Sequence, residues 1–336
     1  MLDLIKELCT LDGTSGDEKT VRDFIISQID GFCEYRTDAL GNIIAYKKGK
    51  KQAAKKLMLD AHTDEVGFII TSVTDGGFLK FKVVGGIETS ALMFRRVTIN
   101  GNLKGVIGGK PIHLMSEAER KKLPDKDSLY IDIGAANKEE VEKYISVGDC
   151  GVINGDFEII GDKILSKALD DRIGCAFLIK LLREESEYDF YASFSVQEEL
   201  GCRGAKTATF AINPQAALVL ESTTAADIAD VAEENAVCKL GDGPAVSFMD
   251  RATLYDRKLY NAALNSGVTC QPKKAVAGGN NSSAIHLSGE GVRTLAISVP
   301  CRYIHSCSSV ADVNDIENAY KLCKYMLEGI CSGEIE

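Results

Sequence analysis

The segment LMLDAHTDEVGFII, residues 57–70, joins two kinds of sequence. It begins as an apolar run, Leu57-Met58-Leu59, breaks into Asp60-Ala61-His62-Thr63-Asp64-Glu65, and then turns apolar again around a glycine. Consecutive apolar residues are the pattern of a strand buried on both faces, as in a parallel sheet covered by helices. At the end of that strand stands one of only four histidines, among three acids. A polar turn between strands accounts for this, and so does a metal site; the choice depends on what else the chain supplies.

Upstream of this segment the chain reads as α/β. Asp17-Glu18 opens a helical stretch with Val21, Phe24, Ile25 and Ile29 on one face and Gly31 at its end. GNIIAYKKGKK, residues 41–51, is a short strand running into a basic loop. From about residue 66 to 162 the texture changes to short strands and dense glycine, with Asp75-Gly76-Gly77 as a hairpin signal. Such a run predicts a small β-barrel or sandwich. One helical patch interrupts it, where Ser116 followed by Glu119 fits a capping box. After residue 163 the alternation returns, with helices expected at 171–185, 201–212, 251–266 and 314–329 and strands at 190–196, 215–220, 244–248 and 292–299. The expected fold is therefore α/β: a mostly parallel, helix-covered sheet from residues 1–65 and 163–336, with a small β-barrel inserted at 66–162.

Composition narrows the function. The 336 residues are 45% hydrophobic and 26% charged, with a formal charge of −10. That surface repels phosphate backbones, and no basic stripe offsets it, so nucleic acid is not an expected partner. No apolar stretch approaches the ~20 residues of a membrane span, so a membrane is not one either. Met1-Leu2-Asp3-Leu4-Ile5-Lys6-Glu7 has no basic leader pattern and reads as a first helix, which sets cytoplasmic location as the expectation. Eleven cysteines, an odd number with no C-x-x-C pair, read as reduced thiols rather than a disulfide framework.

In open α/β sheets, sites lie beyond the carboxyl ends of the strands. Five such places carry ionisable residues. His62 and Asp64, two apart, fall on one side of an extended segment, where the acid can orient the imidazole. Asp170-Asp171 precedes an amphipathic helix, as a cap with an acidic first turn or as something more. Glu198-Glu199 follows an apolar strand, and buried carboxylates there need a cation. Glu221 ends another strand, and His305 lies in a loop just after the strand at 292–299. Mixed nitrogen and oxygen ligands suit Zn²⁺, Co²⁺ or Mn²⁺. Two histidines and several carboxylates exceed one tetrahedral ion and suffice for two sharing a carboxylate, with one further acid free to act as general base on an activated water. His113 and His286 read as structural.

These segments together, DAHTDEVGF, KPIHLMSEAERKK, IDIGA, KALDDRIG, VQEELGCRGA, LEST and PCRYIHS, make the whole chain resemble the TET-type dinuclear metallo-aminopeptidases, a family often labelled glutamyl aminopeptidase or, under an older name, cellulase M. The resemblance implies two divalent cations per subunit, one held by His62, Asp170 and Glu221 and the other by Asp170, Glu199 and His305. It implies Glu198 as general base and acid, Asp64 as the residue orienting His62, and a cis bond between Asp170 and Asp171. It also implies peptide substrates with a free N-terminus, and an inserted β-domain that makes dimers, which build a tetrahedral dodecamer. Two positions depart from the pattern. Glu221 stands where the family often has Asp, and Asn281, in GGNNSSAIH, stands where an acid is usual, so a charge is expected to be missing near the substrate. A deacylase of small amides is the competing enzyme, distinguished by whether a free α-amine is required. A non-catalytic assembly protein that keeps the fold is the competing class. A glycosidase, which uses two carboxyl groups flanking the bond, has no need of the two histidines.

Overall fold

Alternation along the strand Leu57–His62 sends Leu57, Leu59 and Ala61 into one core and Met58 into another. The computed structural model, which describes residues 1–276 and 278–335, shows why: this strand is central in a sheet with helices on both sides. Across the sheet the strands run Glu34–Thr37, Ile43–Lys47, Phe190–Ser195, Leu57–His62, Ala216–Thr224, Arg293–Arg302, Ser309–Asp312, Lys163–Ser166 and Glu158–Ile160. The four from Phe190–Ser195 to Arg293–Arg302 are parallel. The strands beyond them on either side pair antiparallel, so the sheet is parallel at its centre and mixed overall.

One face is covered by Leu2–Thr10, Lys19–Ile29, Leu169–Arg183, Arg257–Leu264 and Val313–Ser332, through residues such as Leu8, Ile25, Ile173, Leu259 and Met326. The other is covered by Arg203–Ile212 and Ser282–Ile285, through Ala205, Ala208, Ile212 and Ile285. Small side chains on the second face let that helix sit close to the sheet. Two expected elements are shorter than their sequence patterns. The helix expected from 251 begins at Arg257, because the Asp250 carboxylate accepts from the Ala252 and Thr253 amides in a turn, and Asp256 then caps the helix by accepting from Lys258 and Leu259. The strand expected at 244–248 pairs only at Ala245–Val246.

The glycine-rich region forms a closed antiparallel barrel with strand order Gly67–Val73, Leu79–Val84, Tyr130–Asp132, Leu103–Gly108, Arg96–Ile99 and Cys150–Ile153. Its interior is filled by Phe68, Ile70, Leu79, Val97, Ile99, Ile107 and Ile131. The hairpin at Asp75-Gly76-Gly77 and the capping box of Glu117–Arg120 are both present. The barrel is seamed to the sheet where the Thr14 hydroxyl donates to Gly151 O at 2.9 Å. A β-carbon at Gly67 would lie 2.4 Å from Thr14 Oγ1, so this seam needs glycine. All eleven cysteines are free thiols. No helix among the described residues is long and apolar enough to cross a membrane.

Candidate metal centre

Parallel pairing brings the carboxyl ends of the central strands to one edge, with Ser195 beside His62 and Glu221 beside Ser298. His62, Asp170, Glu198, Glu199, Glu221 and His305, which lie far apart in the chain, meet there. All but His62 line a cleft of about 270 Å³, whose walls also include Thr223, Val237, Lys273, Gly279 and Asn280.

Both histidines are held the same way. Nδ1 of His62 lies 3.0 Å from Asp64 O, and Nδ1 of His305 lies 3.0 Å from Gly86 O. A carbonyl only accepts, so each Nδ1 carries the proton and each Nε2 is left for another partner. His62 Nε2 faces Asp170 Oδ1 at 3.3 Å and Glu221 Oε2 at 3.7 Å. His305 Nε2 faces Asp170 Oδ2 at 3.4 Å and Glu199 Oε1 at 3.1 Å. The two oxygens of one carboxylate thus point at two different imidazoles. The Asp170–Asp171 peptide is cis.

Asp64 is fully buried and holds several parts of this arrangement. Its Oδ1 accepts from the Glu198 amide at 3.0 Å, and its Oδ2 accepts from the Glu199 amide at 3.1 Å and the Ser15 hydroxyl at 2.6 Å. Its Oδ1 also lies 3.3 Å from His62 Nδ1. Burial opposes its ionisation, but the His62 and Ser15 hydrogen bonds hold its pKa below the ordinary carboxylate range.

The electrostatics call for a cation. Burial raises the pKa of Glu198 to about 8, with Glu199 and Asp170 adding to the rise and His62 opposing it. Burial also drives Asp171 and Glu221 upward. It disfavours a protonated His305, yet Asp170 and Glu199 raise that imidazole to about 11. Glu221 Oε1 is buried with no hydrogen-bond partner, which is costly for a carboxylate oxygen. Two groups of ligand-type atoms lie close enough for an ion: His62 with Asp170 and Glu199, and His62 with Asp171 and Glu221. Two Nε2 atoms aimed at carboxylates, which would give up their proton to a bound ion, with clustered buried carboxylates and an orphaned oxygen, fit divalent cations of the Zn²⁺ or Co²⁺ kind.

Three further residues support the site: Asp171 and Arg172, where the Asp170-Asp171 pair and the arginine after it go slightly beyond what capping needs, and Gly86, which carried no sequence signal. Asp171 looks like an ordinary helix-start acid, but its Oδ2 accepts from the His62 amide and its Oδ1 from the Gly174 amide. Arg172, fully buried, donates from Nε to Thr63 O and from Nη2 to Glu65, fixing the peptide between His62 and Asp64. Gly86 comes from the barrel region, and no local pattern could assign it to a histidine. Asn281 requires a correction. It does not reach the cleft as a missing acid; it is fully buried, with Nδ2 donating to Asp60 Oδ2 at 2.7 Å and Ser195 Oγ at 2.8 Å. A carboxylate is present at this spot, on Asp60 of the neighbouring strand, where an amide is the complementary partner. His113 is exposed, and the His286 ring bonds Ser282 O within its own turn; neither joins the site.

Comparison with known proteins finds relatives along the whole chain. A family model described as M42 glutamyl aminopeptidase matches residues 41–322. A putative aminopeptidase of Acetivibrio thermocellus is 38% identical, over 98% of each chain. Among solved structures, an aminopeptidase of the archaeon Desulfurococcus kamchatkensis superposes with a TM-score of 0.93 at 35% identity, covering 99% of this chain and 96% of the other. The TET1 peptidase of Pyrococcus horikoshii, described as assembling into a tetrahedron or a large octahedral shell, gives a TM-score of 0.85 at 33% identity, covering 97% and 98%.

Proposed function

This chain belongs to the M42 glutamyl aminopeptidase family, and on that premise we propose that it removes N-terminal residues from peptides with two divalent cations and Glu198 as the proton carrier. The observation that carries the reading is Asp170, whose two oxygens address two imidazoles, the arrangement of a carboxylate shared by two ions. His62, Asp170 and Glu221 would hold one cation, and Asp170, Glu199 and His305 the other. Bound divalent ions supply Lewis acidity toward a carbonyl oxygen and lower the pKa of water at neutral pH.

The chain's own residues do the rest. Asp64 fixes the His62 ring and, through the Glu198 and Glu199 amides, the backbone that carries both glutamates. Glu198 lies in the cleft wall with a pKa pushed up toward neutrality by burial, which suits a group that must both accept and return a proton. Its carboxylate takes the proton of the attacking water and delivers it to the departing amine. The polar cleft beside it receives the substrate's free α-amine end. The inserted region expected at 66–162 is proposed as the dimerisation domain through its barrel, Gly67–Ile153, the strand Glu158–Ile160 pairing instead into the sheet of the catalytic unit, with dimers building a tetrahedral dodecamer. Eleven unpaired thiols suit a cytoplasmic setting.

The test is cation analysis of the purified protein with a panel of aminoacyl-p-nitroanilides, before and after chelation, including N-acetylated controls. The reading expects about two cations per chain, release only from unblocked substrates, loss on chelation, and recovery with Zn²⁺ or Co²⁺. Equal cleavage of acetylated substrates, or activity that survives complete cation removal, would overturn it.

A further inference from the structure

The loop after Glu198 makes a tight return: Gly201 N and Cys202 N both donate to Glu198 O, at 2.7 and 2.9 Å. Cys202 completes this turn with φ +56, a conformation that residues bearing a β-carbon rarely adopt, and it caps the helix Arg203–Ile212. The turn brings its sulfur back over the side chain of Glu198. Cys202 Sγ lies 3.5 Å from Glu198 Oε1, and among the described residues it is the only hydrogen-bond donor to that carboxylate. The Ser283 hydroxyl in turn donates to Cys202 Sγ at 3.3 Å. Cys202 is only 9% exposed, and burial keeps its thiol protonated, so the S–H remains a donor.

We propose that Cys202 is a positioning residue for Glu198, the middle of a relay Ser283–Cys202–Glu198 that fixes one carboxylate oxygen and leaves Oε2 to exchange protons in the cleft. The inference rests on the role proposed above for Glu198. A thiol suits the task because it is a weak donor. It selects a carboxylate rotamer by a neutral hydrogen bond, without the ion pair an ammonium would make. The relay also ties the base to another part of the cleft wall, because Ser283 sits on the helix Ser282–Ile285, which follows the cleft-lining residues Gly278, Gly279 and Asn280. Movement of that wall is thereby transmitted to the carboxylate.

Cys202→Ala and Cys202→Ser, assayed beside wild type and Glu198→Gln on one unblocked aminoacyl substrate, test this. Cys202→Ala removes the donor and is expected to lower kcat about five- to tenfold, the scale of a slightly misplaced catalytic group, while KM stays within about twofold and cation content is unchanged. Cys202→Ser, which keeps a donor at shorter reach, is expected to recover most of that loss. An unchanged kcat in Cys202→Ala overturns the proposal. So does a loss of equal size in both variants, or one that tracks cation content or melting temperature, since each points to packing alone. A wild type that fails to cleave unblocked substrates takes down the assigned role of Glu198 and this inference together; an active wild type silenced by Glu198→Gln but indifferent to Cys202→Ala removes only this inference.

Discussion

Glu198 and Glu199 are adjacent, share burial and have amides held by the same Asp64 carboxylate, yet their side chains point to different tasks. Glu199 meets His305 Nε2 at 3.1 Å, as a ligand would, whereas among the described residues Glu198 bonds no imidazole and only the weak thiol donor. Replacing Glu198 by Gln keeps the volume and the polar contact but removes the exchangeable proton. The expected outcome is a kcat at least about 10²-fold lower with cation content unchanged, read by steady-state kinetics and elemental analysis; near-wild-type turnover would remove Glu198 from the proton path. Most of the site residues could be read from sequence because each ends an apolar strand or stands just past one, where an ionisable residue needs a reason. Asp171 could be read only in part, since an acid at a helix start already has one. Asn281 was misread because the family pattern sets an acid there, while Asp60, whose carboxylate its amide serves, is 221 residues away in the chain.

Asp256 shows the same division at the level of an element. It caps the helix Arg257–Leu264 and forks with Arg293, Oδ2 accepting from Nε at 2.6 Å and Oδ1 from Nη2 at 2.9 Å. The Arg293 hydrogen bond holds the Asp256 pKa below the ordinary carboxylate value of 3.8. A depressed folded-state pKa contributes stability that is fully present above the unfolded value and is lost as pH falls through the folded one. Asp256→Ala is therefore expected to cost about 1 kcal/mol from the lost cap, plus a smaller ionic part because the pair is partly exposed. Asp256→Asn keeps the cap and should lose only the ionic part, and its difference from wild type should begin to shrink as pH drops below about 4 and disappear only below the depressed folded-state value. Thermal melts of the three proteins at pH 7 and pH 3.5 check this; a wild-type advantage over Asp256→Asn that grew in acid would contradict it. The expected start of this helix at residue 251 came too early, since a sequence pattern cannot see that Asp250 has already claimed the local amides for a turn. The parallel strands were legible for the opposite reason, their apolar runs leaving no solvent face. The antiparallel flanks were hidden, because strand direction at a sheet edge depends on how distant segments return.

At the scale of the whole molecule, the barrel separates two sets of apolar residues that sequence alone confounds. Phe68, Val97, Ile99 and Ile131 are fully buried inside it, whereas Phe94, Ile112, Leu114, Tyr144 and Val147 are each at least 60% exposed. The exposed ones come from segments that the barrel core does not need: a turn, the short 3₁₀ turn Ile112–Leu114 and the stretch after the helix Lys138–Val141. Single exposed apolar residues are ordinary, but several on one small unit mark a surface that association would cover. If this region joins chains as proposed, the protein should run in light scattering as a large multiple of the 36.3 kDa chain. Ile112 and Leu114, two residues apart, offer the sharpest break. Burial of one such side chain is worth about 1.5–3 kcal/mol, so Ile112→Asp with Leu114→Asp should weaken each contact by at least about 10²-fold and shift the mass toward smaller species at micromolar concentration. Cleavage of a small aminoacyl substrate should persist, because neither residue lines the metal cleft. A wild-type mass equal to one chain would remove the interface altogether, and a double variant that assembles like wild type would move it elsewhere; either leaves these side chains as solvent-facing residues of the barrel.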